Sequence, residues 1–187
     1  MSEEDGSIHW YLPYVRAVFP IEGVHVSRSL ARTLKKVKIL SPQEPLQEGF
    51  CVTFDRDFTG VMRGCIRPSD NWINEHFVEV YTECHQLGWG HSCEVWFDGE
   101  LVGGLYGIAL GGVFCAESMF HRKTDCSKIA LWAMVNKCRE LGFEIFDAQL
   151  MNPHLERMGA VEMPQEEYMV KFSELIGKKT PWSIMLR

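Results

Sequence analysis

Residues 92–120 read SCEVWFDGELVGGLYGIALGGVFCAESMF, and this stretch decides the fold. Strand Ser92–Phe97 and strand Leu101–Ala109 flank Asp98-Gly99, a pair that accepts positive φ at both positions and so predicts a tight hairpin. Gly111-Gly112 then turns the chain into a third strand, Val113–Met119, which completes an antiparallel meander. Downstream, Ile129, Ala130, Ala133, Met134, Cys138 and Leu141 keep a helical period over Ser127–Leu141, and Gly142 supplies the stop. A strand over Phe143–Ala148 follows. A helical crossover between two strands favours a parallel return, so the expectation is an α+β layer built on one mixed sheet with flanking helices.

Upstream, the aromatic, proline-bearing segment Ile8–Pro20 predicts an extended strand, and Ser27–Lys36 a helix. Phe50–Phe54 reads as a strand and Asp57–Cys65 as a helix. A further helix runs from about Asn71 to Leu87, capped by Asp70 and stopped at Gly88. At the other end Pro164 precedes an amphipathic helix to Ile176, and Trp182–Leu186 is expected to close the sheet.

The 187 residues suffice for one substantial core, and 46% hydrophobic with 24% charged content is ordinary for a globular chain. Leu101–Ala116 is uncharged but too short and glycine-rich for a bilayer crossing, and the acidic start MSEEDGS is unlike a secretory leader. A cytoplasmic location with no membrane partner is expected. Seven cysteines without a C-x-x-C pair, and histidines without a third ligand at useful spacing, indicate neither disulfides nor a metal site. The net charge of −6 argues against nucleic acid, but its distribution does not. HVSRSLARTLKKVKIL, residues 25–40, carries Arg28, Arg32, Lys35, Lys36 and Lys38 with no acidic residue, and Arg28, Arg32 and Lys35 share one helical face. That face suits a phosphate backbone or simply solvent.

Six strings resemble the leucyl/phenylalanyl-tRNA-protein transferase family in collinear order. They are HVSRSL (25–30), NWI (71–73), HSCEVW (91–96), LVGGLYGIALGGVFCAESMF (101–120), SKIAL (127–131) and FDAQ (146–149). The resemblance covers about residues 8–172. It implies a GNAT-like fold and transfer of an amino acid, leucine or phenylalanine, from aminoacyl-tRNA to the N-terminal α-amine of an acceptor protein, marking it for N-degron degradation. No cofactor is implied, and the number of subunits stays open. The family's usual N-terminal lobe precedes a W-x-x-P-x-x-R segment, here Trp10, Pro13 and Arg16, so this chain resembles a short member. Residues 1–40 are then a truncated N-terminal segment with the basic helix, and 41–187 the GNAT-like catalytic domain. Ala116 and Ala148 stand where the family usually has Gly and Cys.

Carried over residue by residue, the resemblance makes Asp147 and Gln149 the catalytic pair and puts Glu117 at the donor's α-ammonium. It gives Leu105, Phe114 and Met119 to the donor side-chain pocket and Trp72 to the terminal adenosine; the candidates for tRNA contact, Arg28, Arg32, Lys35 and Lys36, rest on the charge distribution instead. Two residues apart on a strand, Asp147 and Gln149 are expected to face one cavity. Glu117, in an apolar string, needs a partner, with Arg122 and Lys128 as alternatives to a ligand. Two other functions remain open at this level. An acyl-CoA-dependent N-acyltransferase would carry a glycine-rich phosphate loop, whereas FHRKTDC (120–126) has no glycine. A non-catalytic adaptor binding tRNA or protein N-termini would not need Asp147, Gln149 and Glu117 together.

Overall fold

A computed structural model describes residues 13–67 and 72–182. In chain order its elements are β1 (Val15–Phe19), α1 (Arg28–Leu34), β2 (Lys38–Ile39), β3 (Phe50–Phe54), α2 (Phe58–Gly64), α3 (Glu75–Gln86) and β4 (Gly90–Phe97). There follow β5 (Glu100–Leu110), β6 (Val113–His121), α4 (Cys126–Glu140), β7 (Ile145–Asp147), α5 (Pro153–Arg157), β8 (Val161–Pro164) and α6 (Gln165–Leu175).

Asp98 and Gly99 take φ of 51° and 86°, the left-handed pair that the hairpin between β4 and β5 requires. Eight strands form one sheet in the order β2-β3-β4-β5-β6-β7-β1-β8. β6 and β7 are parallel across the α4 crossover, β2 and β3 are parallel, and the remaining neighbours are antiparallel. The mixed α+β sheet with flanking helices is therefore present. β1 lies inside it, between β7 and β8.

The two sheet faces carry different helices. Phe19, Phe114 and Phe146 pack with Leu30 of α1, Ile129 and Met134 of α4 and Leu155 of α5 on one face. The other face holds Val61 and Met62 of α2 with Val78 of α3, and separately Val18, Val113 and Ile145 under Tyr168 of α6. Gly103 and Gly104 let both layers approach β5. A Cβ at Gly103 would lie 2.5 Å from Cys126 Cβ of α4, and one at Gly104 2.8 Å from a Val61 methyl of α2.

Several local expectations shift. α3 starts at Glu75, capped by Asn74, whose Oδ1 accepts from Phe77 N at 3.0 Å; Asp70, the expected cap, lies outside the described residues. β1 covers only the end of the aromatic segment, and residues 8–12 of that expectation also lie outside. So do residues 183–186 of the expected closing strand; Trp182 is in a turn. β7 ends at Asp147, and β2, α5 and β8 were not anticipated.

Candidate active site

β6 and β7 share three rungs, Val113↔Ile145, Phe114↔Phe146 and Cys115↔Asp147. Beyond them β6 continues to His121 while β7 stops, and the chain leaves the sheet into Gln149–Leu150. Where the two part, a cavity of about 330 Å³ opens, within the range of small-ligand sites. Leu105, Met119, Leu131, Phe146 and Leu155 supply apolar walls; Glu117, Ser118, Gln149 and Asn152 supply polar ones, and Trp72 and Arg67 complete the lining.

Glu117 reaches this cavity through an irregularity in β6. Tyr106 pairs with Ser118 and Gly107 with Ala116, so Glu117 is the unopposed residue of a bulge. Neither expected basic partner holds it. Arg122 donates to Leu101 O at 3.2 Å and Lys128 Nζ lies 2.7 Å from Asp125. Its carboxylate instead accepts from Gln149 Nε2 at 3.1 Å and from the Tyr81 hydroxyl. Burial raises the Glu117 pKa, while the bonds from Gln149 and Tyr81 act in the opposite sense.

Gln149 does not lie on a strand. Its φ is 67°, a left-handed conformation for a non-glycine residue, and the turn is pinned to β1 on both sides. Ala148 N donates to Ala17 O at 2.8 Å, and Ala17 N donates to Gln149 O at 3.0 Å. The side-chain amide gives Nε2 to Ala116 O and to Glu117 Oε2, each at 3.1 Å. The Ala116 carbonyl can only accept, which fixes the amide orientation and leaves Oε1 of this cavity-lining residue as an acceptor.

Asp147 departs from expectation. It is 0% exposed and does not line the cavity. Oδ2 accepts from Arg16 and from the Tyr168 hydroxyl, and Oδ1 accepts from the Gln149 amide at 2.8 Å. The shared-face argument fails because the strand ends at Asp147 and the chain turns, so the pair is joined through Gln149's backbone. Phe114 is also off the wall. It is fully buried behind Phe146, with ring centroids 5.3 Å apart. Leu105, Met119 and Trp72 do line the cavity. Tyr81, Arg67 and Asn152 had no sequence signal, being ordinary polar residues on a helix and two loops.

The basic helix is capped by Ser27, whose Oγ accepts from Leu30 N at 3.2 Å. Arg28, Arg32, Lys35 and Lys36 are all on the solvent side of the segment, while Leu30 anchors the helix in the core. His25 N donates to Met158 O at 2.8 Å, tying the start of this segment to the end of α5, whose Leu155 lines the cavity.

The profile of the family described as leucyl/phenylalanyl-tRNA protein transferase matches residues 18–173, a span that contains every cavity residue named above. The chain belongs to this family. It is 46% identical over 180 residues to the leucyl/phenylalanyl-tRNA–protein transferase of Pelodictyon phaeoclathratiforme, covering 94% of this chain and 87% of that protein. The transferase of the same name from Ruegeria pomeroyi is 45% identical over 164 residues, 88% of this chain and 73% of that protein. Among solved structures, a GCN5-related N-acetyltransferase from Kribbella flavida aligns with a TM-score of 0.45 at 12% identity, over 82% of this chain and 54% of that one. For this transferase family member, the cavity between β6 and the Gln149 turn is the candidate centre.

Proposed function

We propose that the chain transfers an amino acid, leucine or phenylalanine by its apolar walls, from aminoacyl-tRNA to the N-terminal α-amine of an acceptor protein. The observation that carries this reading is the side-chain amide of Gln149, a cavity-lining residue whose Nε2 is committed to two acceptors, which leaves Oε1 as its remaining acceptor. The ester donor is already activated, so the task is to position an amine against its carbonyl. An N-terminal amine has a pKa of about 7.7–8.0, so on the order of a tenth is neutral at pH 7. Oε1 accepts one N–H of that neutral amine and aims its lone pair at the ester carbon. The C–N bond forms, the C–O bond to the ribose breaks, and the amine proton leaves with the departing ribose oxygen.

Glu117 receives the donor's α-ammonium, beside the Gln149 and Tyr81 donors. Leu105, Met119 and Leu131 take the donor side chain, and Trp72 stacks on the terminal adenosine. Arg28, Arg32, Lys35 and Lys36 meet tRNA phosphates. Asp147 acts by orienting Gln149, because both of its oxygens are engaged within the protein. The acyl-CoA alternative is disfavoured at the first turn of α4. There the loop has no glycine, and Asp125 sits at the position where a pyrophosphate would need donors. Marking of acceptors for N-degron degradation in the cytoplasm goes with this reading. The net negative charge favours acceptors beginning with Arg or Lys.

The test is transfer of labelled amino acids from a pool of charged tRNAs onto peptides beginning with Arg, Lys, Asp or Glu. Transfer of leucine or phenylalanine that drops about 100- to 10,000-fold in Gln149→Ala supports the assignment. Binding of charged tRNA without any transfer points to an adaptor, and measurable coenzyme A binding points to an N-acyltransferase.

A further inference from the structure

A carboxylate taken out of water is costly unless its oxygens are satisfied, and Asp147 is satisfied from three elements at once. Arg16 comes from β1 and Tyr168 from the first turn of α6, and both donate to Oδ2, the hydroxyl at 2.8 Å; the Gln149 backbone N–H closes on Oδ1. The Arg16 guanidinium also lies over the Tyr168 ring, 5.1 Å from its centroid, so the two donors hold each other. Burial, followed by the Cys115 and Asp147 charges, pushes the Tyr168 hydroxyl pKa up and keeps it a donor. Neither Arg16 nor Tyr168 lines the cavity.

We infer that Arg16 and Tyr168 are positioning residues for the transfer reaction. They fix Asp147 so that Oδ1 locks Gln149 in its left-handed turn, an inference that rests on the reading of this cavity as the transferase centre. The physical reason is conformational. A residue with a Cβ is strained at a φ of 67°, and the bonds from Gln149 N to Asp147 Oδ1 and from Ala17 N to Gln149 O hold the two peptide planes that flank that torsion. Arg16 is the immediate neighbour of Ala17, whose N–H and C=O clamp both sides of the same turn. One strand therefore fixes the turn by its backbone at Ala17 and by a side chain at Arg16. With Asp147 free to rotate, the Gln149 backbone relaxes toward negative φ and its amide swings off Ala116 O and Glu117.

The measurement is steady-state transfer by Tyr168→Phe and Arg16→Ala, with KM determined separately for charged tRNA and acceptor peptide. The expected result is a fall in kcat of about 10- to 100-fold with both KM values within about twofold of wild type. Millimolar guanidinium should restore part of the Arg16→Ala rate and none of the Tyr168→Phe rate, a response that general destabilisation does not produce. If Arg16→Ala fails to fold, Tyr168→Phe, which keeps the ring, carries the kinetic test. The Gln149 amide proton offers a readout apart from turnover. It should be slow to exchange in the wild type and exchange faster in both variants. Wild-type kcat in Tyr168→Phe, or a raised KM at unchanged kcat, overturns the positioning role while leaving the transfer reaction standing. Absence of transfer by the wild-type protein overturns the reaction itself and this role with it.

Discussion

At the residue scale the site turns on how Glu117 is presented and how charged it is. Burial lifts its pKa above the ordinary 4.5, so the fold favours its protonated form. The linkage sign follows. Stability from this group is complete below the unfolded value and is lost as pH rises through the raised folded value. Glu117→Gln should therefore melt at or above the wild-type temperature at pH 8, and differ least near pH 4; a lower midpoint at pH 8 would contradict the burial argument. Donor binding should run the other way. If the anion holds an ammonium, affinity for charged tRNA weakens as pH falls through the raised pKa, and Glu117→Gln should bind more weakly with no such pH limb. At this scale the sequence singled out Glu117 and Gln149, through their resemblance to a family string, and both line the cavity, but it did not show how they meet. Tyr81 and Glu117 lie in distant parts of the chain, as do Arg16 and Asp147, and no local period links them. Gln149 escaped the strand rule because its conformation is set by bonds to Ala17 and Asp147.

Elements were legible where they carried their own punctuation. The Asp98-Gly99 turn, the Ser27 and Asp57 caps and the glycines ending α3 and α4 are chemical signals, and those boundaries fall within a residue or two of expectation. β2, α5 and β8, of two, five and four residues, are too short to show a period, and pairing or packing with distant segments specifies them. β5 offers a direct check. A Cβ at Gly107 would stand 2.3 Å from Cys115 O, beside the bulge that presents Glu117. Gly107→Ala should cost about 1–3 kcal/mol by urea denaturation, and it should weaken donor binding more than an equally destabilising change remote from the bulge. α1 predicts the opposite split. Leu30 carries the packing of this helix and the basic side chains point away from the core, so replacing Arg28, Arg32 and Lys35 by Gln should move stability by no more than about 0.5 kcal/mol. The same change should weaken tRNA binding for all sequences and flatten its dependence on salt, by up to about 0.9 in the log–log slope for each phosphate no longer neutralised. An unchanged slope returns α1 to a solvated face.

Across the whole molecule, the sequence conveyed the mixed sheet but not the place of its N-terminal strand in it, because strand order depends on pairings that span the chain. β1 touches β7 on one side and β8 on the other, and among the described residues β8 has no other partner in the sheet. Ala17, Val18 and Phe19 are 1%, 4% and 2% exposed, and Phe19 meets Phe146 edge-on at 5.9 Å, next to the cavity wall. A chain beginning at residue 41 would lose that strand, the packing of α1, and the Ala17 clamp on Gln149. Loss of a buried phenylalanine alone costs about 3–5 kcal/mol, against a typical total stability of about 5–15 kcal/mol. Such a chain should show no cooperative unfolding transition by circular dichroism. If the boundary at residue 40 instead divides independent units, it should unfold sharply and retain the cavity. A finer cut separates strand from site. Ala17→Pro removes the N–H that holds Gln149 O, and its activity should fall further than that of a Val18→Ala variant matched to it in stability. Equal activities at matched stability would mean that β1 serves the fold alone and that the Gln149 turn holds its shape without it.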